Sequence, residues 1–460
     1  MGNPSVSTGP LGDTQLIRPS SLHPQSQGVR RLLLVAYHYP PSLESGAVRP
    51  RGLAKYLADL GWEALVLTPQ MAGPRPGNVI ETDSIDVIAE WKRRFGLQPH
   101  RRLREYRKLA SWTKTPDSLR FKFVQGVRAV LSYPDEYKGW RPYAVDALEQ
   151  LRGQNIEAII STAPPLVCHL IAKEAKQALG CPWIADYRDL WNVDADTMYD
   201  RKGLIGAIRG RTERNVLATA DALVAVSDPW ASRLRARYPS KPVYSIMNGF
   251  DPEEAVIGDR KLSSKFTITH TGILYMGRRD PSLLLEALRD LVDSGELDIS
   301  DLLLRFYGQP EAFMPPLLQR YRLESVTELR SSVPRPEMLA LQRESQILLV
   351  LNWAGQTENG GHTGKVFEYL AAGRPILAHG GVRGVLAGLL EETQAGVHVE
   401  SKDEMRRVLL QAYREYKGYG QVAYNGKLEV IERYSQREMA RKYARVLAVY
   451  APERAEAGAA

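Results

Sequence analysis

Apolar and polar positions along this chain fall into a repeating alternation. Short apolar runs are followed by longer stretches with apolar residues at helical spacing. RRLLLVAYHY (30–39) is an apolar run closed by Pro40-Pro41, which predicts a buried strand. After the loop PPSLESGA comes RPRGLAKYLADLG (49–61), with Leu53, Tyr56, Leu57 and Leu60 at helical spacing and Gly61 as a stop. EALVLTP (63–69) predicts a second strand, so the two strands and their helix form a βαβ unit with parallel strands.

The same grammar recurs. IEAIISTAPP (156–165), PWIADYRDLW (182–191), DALVAVS (221–227) and VYSIMNG (243–249) read as strands, and VCHLIAKEAKQALG (167–180) as a helix ending on Gly180. A polar stretch, DPEEAVIGDRKLSS (251–264), reads as a linker. The pattern then restarts with strands at FTITHTG (266–272), DLLLRFYG (301–308), SVTELRSSV (325–333), QILLVLNW (346–353) and RPILAHG (374–380), and a helix at PSLLLEALRDLVDSG (281–295). The expected fold class is therefore α/β, two tandem Rossmann-like doubly wound domains facing a cleft. Residues 30–250 form the first domain, 265–427 the second, and a helix over 428–452 crosses back to the first. Residues 1–29, rich in Gly, Pro, Ser and Gln, lack a signal peptide's apolar core and read as a disordered tail.

Composition narrows the class. At 460 residues the chain exceeds one ordinary core, and 44% apolar with 25% charged residues is normal for a globular protein. Two cysteines, Cys168 and Cys181, give neither a disulfide framework nor a metal-ligand spacing and suit the cytoplasm. No run of about 18 apolar residues is present to span a bilayer. The net charge is +8, yet residues 91–130 hold twelve Lys/Arg against Glu105 and Asp117, so the rest of the chain is slightly acidic. Trp91, Phe95, Tyr106, Trp112 and Phe121 lie among these cations in an insertion over about 91–140. That mixture fits an anionic membrane surface, or else a solvated basic face.

Four stretches carry candidate chemistry. HTGKVFEYLAAGRPILA (362–378) opens a helix on Thr363 and Gly364, where free backbone N–H groups and Lys365 suit an anion. Glu368 lies on the side of Lys365, as expected of a group binding hydroxyls such as a ribose diol, or of a plain surface ion pair. GILYMGRRDP (272–281) puts Gly272 at a strand end and Arg278 and Arg279 in the loop beyond, where guanidinium groups suit diphosphate oxygens or simply meet solvent. PPSLESGAVRP (40–50) places Gly46 near a helix N-terminus, where phosphate or an acceptor group could sit; it is neither GxGxxG nor a Walker loop. DYRDLW (186–191) sets Asp186 and Asp189 around Arg188, either to orient a sugar or act on a proton, or as a structural ion-pair cluster.

Taken in order, YHYPPSLESGAVRPRGLAKYL, PWIADYRDLW, ADALVAVS, SIMNGFD, HTGILYMGRRDP and HTGKVFEYLAAGRPILA resemble the GT-B-fold glycosyltransferases of group 1 from Arg31 to Tyr450. These take sugar from a nucleoside-diphosphate donor. Asn248-Gly249 with Asp251 matches the Asn-Gly-x-Asp that ends the family's first domain. The resemblance implies that the first domain takes the acceptor and the second the nucleotide sugar. Glu368 matches the second glutamate of the family's Glu-x7-Glu motif, a ribose-hydroxyl binder, and the first falls on Gly360. Arg279 takes the place of the family's phosphate-binding lysine and Ile273 that of its arginine, while Lys365 matches relatives with Lys-x-x-Glu.

The resemblance further implies retaining transfer of a hexosyl unit in polysaccharide or glycoconjugate synthesis. The diphosphate sits on Arg278 or Arg279, Lys365, Gly272 and the Thr363-Gly364 helix start, with Gly46 contributing to donor binding. Lys365, Arg279 and Asp186 are the expected catalytic residues, and Arg188 and Asp189 the acceptor or sugar contacts. The nucleotide sugar is a co-substrate; no cofactor or divalent metal is expected. Asp194-Ala195-Asp196, which imitates a metal-binding Asp-x-Asp, reads as a solvated loop. Expected partners are the nucleotide sugar, a glycan or lipid-linked acceptor and an anionic membrane surface, not nucleic acid. The expected location is cytoplasmic, peripheral at the membrane's inner face. The competing readings are a nucleotide-sugar epimerase, a catalytically inactive relative and a nucleic-acid binder.

Overall fold

A computed structural model describes residues 29–42, 44–74, 78–94, 133, 135–190, 204–255, 261–275, 277–308, 312–331, 333–353 and 363–452. The tail, nearly all of the basic insertion, Asp194 to Asp196 and Gly360 lie outside the described residues.

The N-terminal strands are β1 (Arg30–Val35), β2 (Trp62–Pro69), β3 (Val79–Thr82), β4 (Ile156–Ala163), β5 (Trp183–Tyr187), β6 (Ala222–Ala225) and β7 (Val243–Ser245). They form a seven-stranded sheet in the order β3-β2-β1-β4-β5-β6-β7. β1 pairs in parallel with β2 and β4, β2 with β3, and β6 with β7. Leu32, Leu33, Leu34 and Val35 are all fully buried. A strand covered on both faces needs a continuous apolar run rather than an alternating one, which is why 30–39 reads as it does.

The C-terminal strands are β8 (Phe266–Thr271), β9 (Leu302–Tyr307), β10 (Thr327–Arg330), β11 (Ile347–Leu351), β12 (Ile376–His379) and β13 (Gly396–Val399). Their order is β10-β9-β8-β11-β12-β13, parallel throughout. Along β11, Ile347, Leu349 and Leu351 enter one apolar core and Leu348 and Val350 the other, the period-two signature of a strand between two helical layers. Both sheets thus show the two-halved order that reverses beside its first strand, at β1/β4 and at β8/β11. Ligands of such sheets bind outside the strand carboxyl ends at that reversal.

Three readings need correction. β3 and β13 are strands of four residues each that pattern alone did not reveal. The strand read over 325–333 shrinks to Thr327–Arg330, because as an edge strand β10 buries little side-chain surface. The single helix read over 428–452 is broken: Leu428–Ile431, a 3-10 turn over Glu432–Tyr434, then Gln436–Tyr450. The break is at Ser435, whose side chain caps the last helix by accepting from Glu438 N–H.

That break explains the Asn-Gly-x-Asp stretch. Phe250 N–H donates to Tyr434 O at 3.0 Å, and Gln436 N–H donates to Phe250 O at 2.7 Å. A Cβ on Gly249 would lie 2.5 Å from the Ser435 carbonyl carbon, so only glycine lets the two chain segments meet. Asp251 then accepts from Tyr56 Oη at 2.6 Å and from Lys55 Nζ at 3.0 Å. By compactness Lys55–Leu60 and the chain from Asp221 onward form one unit, and Gly61–Asp186 belongs to the other. Among the described residues, no helix is long and apolar enough to cross a membrane.

Candidate functional site

The helix Lys365–Ala372 follows β11 and stops at Gly373, whose φ of 60° places it in the left-handed region. Val366, Phe367, Tyr369 and Leu370 are buried, which fixes the opposite side as the one bearing Lys365 and Glu368. Gly364, not Thr363, occupies the cap position, and Thr363 Oγ1 accepts a long bond from Lys365 N–H at 3.4 Å.

Glu368 is the centre of a closed network. Its Oε1 accepts from Arg335 Nη1 at 3.0 Å. Its Oε2 accepts from Lys365 Nζ at 3.1 Å and from Gln342 Nε2 at 3.3 Å. Arg335 opens the helix Arg335–Glu344 and also donates through Nε to Glu254 at 3.1 Å. Gln342 is fully buried and donates to Thr271 Oγ1 at 3.1 Å, and Tyr369 Oη accepts from Thr271 N–H at 2.9 Å. Burial would push the Glu368 carboxyl up, but Lys365 and Arg335 hold it below the ordinary carboxylate range. The carboxylate is therefore ionised and immobile. It has about four lone-pair positions; the described residues use three, leaving one on the Oε1 side.

The second group of residues follows β8. Gly272, φ 153°, donates its N–H to Tyr307 O at 2.7 Å, and a Cβ on neighbouring Gly308 would strike its carbonyl oxygen at 2.3 Å. The loop beyond carries Tyr275, a non-glycine residue at φ 51°, with Arg279 stacked on its ring at 4.9 Å. Arg278 lies over Trp353 at 5.0 Å, and the Tyr275 and Trp353 rings are 5.7 Å apart. Arg279 Nη1 donates to Ile273 O at 3.2 Å. Buried His270 donates Nδ1–H to Leu349 O at 2.9 Å. Burial lowers its pKa to about 4, helped by the positive charges of Arg279 and Lys365.

The structure thus brings Gly272, Arg278 and Arg279 to the end of β8, and Thr363, Gly364, Lys365 and Glu368 to the segment after β11, the two strands flanking the reversal. The remaining candidates belong to elements of the N-terminal sheet and its connections. Gly46 is in the 3-10 turn Ser45–Ala47 that precedes the helix Val48–Ala58. Asp186, at the end of β5, is fully buried and holds Arg49 through both oxygens, each at 2.9 Å. A carboxylate so committed is built to anchor Arg49, and it has little freedom to move a proton. Arg188 is half-buried and Asp189 exposed in the turn after β5. Arg335, Gln342, His270, Tyr275 and Trp353 were not singled out from sequence. His270 was hidden in the polar alternation of FTITHT, and Arg335-Pro336 could have flagged a helix start.

Comparison with known proteins agrees with this architecture. The glycosyl transferase 4-like domain family matches residues 46–249. A glycosyl transferase-like family matches residues 278–445. Sucrose-phosphate synthase from Thermosynechococcus elongatus is 13% identical with a TM-score of 0.60, over 91% of this chain and 98% of that one. HepE from Anabaena, solved with UDP, is 12% identical with a TM-score of 0.59, over 92% of this chain and 100% of that one. A TarM variant from S. aureus, solved with UDP, fondaparinux and α-GlcNAc-glycerol, is 10% identical with a TM-score of 0.54, over 91% and 99%. No curated protein matches the chain in sequence. The chain belongs to the group 1 glycosyltransferases of the GT-B fold.

Proposed function

We propose that this glycosyltransferase moves a hexosyl unit from a nucleoside-diphosphate sugar to a glycan, lipid-linked or small-molecule acceptor with retention of anomeric configuration. The observation that carries the reading is Glu368, largely buried, ionised and held by Arg335, Lys365 and Gln342, with one acceptor position unused among the described residues and suited to a ribose hydroxyl. Arg279 and Lys365 supply positive charge for the diphosphate. As the glycosidic bond breaks, charge grows on the leaving diphosphate, and a preorganised donor aimed there contributes roughly 10² to 10³ in rate. The comparison proteins crystallised with UDP support a nucleoside diphosphate as the ligand class. Retention rests on the group 1 resemblance. An acceptor on a lipid carrier at an anionic surface fits the cations of residues 91–130.

The test is a panel of UDP-, GDP- and ADP-sugars, each incubated with and without candidate acceptors, with released nucleoside diphosphate measured. Acceptor-dependent release is expected. Epimerised donor formed without acceptor overturns the proposal in favour of an epimerase. Donor binding without turnover under any acceptor overturns it in favour of an inactive relative.

A further inference from the structure

The two arginines after β8 rest on aromatic rings. Arg278 lies over the Trp353 ring at 5.0 Å and Arg279 over the Tyr275 ring at 4.9 Å, and the two rings are 5.7 Å from each other. Arg279 also donates Nη1–H to Ile273 O at 3.2 Å. Trp353 belongs to the chain just after β11 and Tyr275 to the loop after β8, so the ring pair joins the two strands that flank the reversal. Leu274, 4% exposed, anchors the loop, and its carbonyl accepts from Arg279 N–H at 3.0 Å. Tyr275 is the unusual residue. Its φ of 51° is a left-handed value that suits glycine or asparagine, and its side chain is not sealed in the core but 39% exposed. A tyrosine held at such a backbone position is explained by what its ring touches, which is Arg279 and Trp353.

A ring face attracts a guanidinium without cancelling its charge. A carboxylate in the same place would also hold the arginine, but would neutralise it. An arginine with neither partner has to be ordered by the ligand, and that ordering lowers affinity. We propose that Tyr275 and Trp353 are positioning residues, whose ring faces hold Arg278 and Arg279 in place for the donor's diphosphate while leaving their charge intact. This rests on the donor-site reading above, in which the positive charge after β8 meets the diphosphate. Trp353 acts twice: it orders Arg278 directly, and Arg279 through the Tyr275 ring.

Titration calorimetry with UDP, GDP and ADP on the wild type fixes the preferred nucleotide. Tyr275→Asn removes the ring and relieves the backbone. It is expected to bind that nucleotide about 5- to 30-fold more weakly. Its melting temperature should stay within about 3 °C of wild type, because the relieved backbone offsets the lost ring contacts. Trp353→Leu should weaken binding at least as much, and Trp353→Phe, which keeps a ring face, should stay within about threefold of wild type. A double-mutant cycle shows whether the rings act through the arginines. In an Arg279→Met background, Tyr275→Asn should cost less than about twofold. A full loss that persists in that background overturns the proposal and puts the ring on the ligand itself. Undiminished affinity in both Tyr275→Asn and Trp353→Leu overturns it too. So does a Trp353→Phe chain as weak as Trp353→Leu, or a Tyr275→Asn chain whose weaker binding comes with a large fall in melting temperature, since the rings would then only support the fold. A wild type that binds none of the three nucleotides defeats the donor-site reading itself, a result distinct from the others.

Discussion

Arg335 is where the donor-site reading is most exposed to a single experiment. The perturbation is Arg335→Met, which keeps much of the stem's volume and removes the charge. Glu368 then loses one of three contacts, that at 3.0 Å, and keeps those from Lys365 and Gln342. Glu254 loses its contact with Arg335 as well. Breaking a fully buried pair costs about 3–5 kcal/mol. Here the Arg335 side chain is 31% exposed and that of Glu368 13%, so water and Lys365 repair part of the loss. About 1–2 kcal/mol is the reasoned cost, or roughly 2–8 °C in melting temperature. A loosened Glu368 should also weaken nucleotide binding about 5- to 30-fold.

The same contacts fix the pH dependence. Folding lowers the Glu368 pKa below its unfolded value, so the network's stabilisation is fully present above that value, about 4.3, and is lost as pH falls through the depressed one. The gap in stability between wild type and Arg335→Met should be widest near neutrality and close in acid. Pairing the change with Glu368→Gln in a double-mutant cycle should give a coupling of about 1 kcal/mol. The assays are thermal melts across pH and titration of the preferred nucleotide. Tighter nucleotide binding in Arg335→Met would refute the reasoning outright, since Arg335 would then be a latch over Glu368 rather than its support. Unchanged melting and unchanged affinity would sink it equally.

Three further substitutions probe neighbouring contacts. Lys365→Ala should slow transfer by about 10²-fold, because it removes a charge at the leaving group; with its side chain one-third exposed, melting should move by little, and steady-state kinetics beside a thermal melt tests both. Gly249→Ala should be strongly destabilising, since the new methyl meets Ser435 backbone that cannot move without breaking the Phe250 and Gln436 bonds; soluble yield and melting temperature report it. His270 titrates near 4 folded and about 6.5 unfolded, so the unfolded state binds more protons between those values and stability should fall as pH drops from 6.5 towards 4, by about 3 kcal/mol at most. His270→Asn should flatten that acid slope, and an unchanged slope would show that His270 does not contribute it.

What was legible in the sequence came from burial. β1 and β11 lie between two layers, so their runs are apolar without interruption, and Gly373 marks a helix end because its backbone is left-handed. Short or exposed elements wrote no such signal: β3 and β13 have four residues each, and β10 is an edge. In the site, Lys365 and Glu368 were visible because they are three apart on one helix. Arg335 and Gln342 reach Glu368 from 33 and 26 positions away, and no local spacing encodes that meeting. Asp186 illustrates the converse. Its position at a strand's carboxyl end suggested chemistry, whereas its partner Arg49, 137 positions away, occupies both of its oxygens in an internal ion pair.

Charge accounting joins these pieces. Arg335 is shared between Glu254 and Glu368, while Lys365, one-third exposed, gives Glu368 one contact and keeps further N–H donors for the proposed diphosphate. Arg278 and Arg279 have no carboxylate partner among the described residues; Arg278 lies on the Trp353 ring, and Arg279 on the Tyr275 ring and the Ile273 carbonyl. Asp280, next in the chain, turns Oδ1 back to accept from Ser282 N–H at 2.9 Å. Among the described residues, the cations without a carboxylate partner at the C-terminal sheet's reversal point thus follow β8, beside Gly272, while Glu368 lies on the helix after β11. A ligand with its anionic group at one end of this arrangement and a hydroxyl pair at the other matches it, which is the form of a nucleoside diphosphate. A free sugar lacks the anion and a simple phosphate lacks the diol, so each leaves one half of the site unanswered.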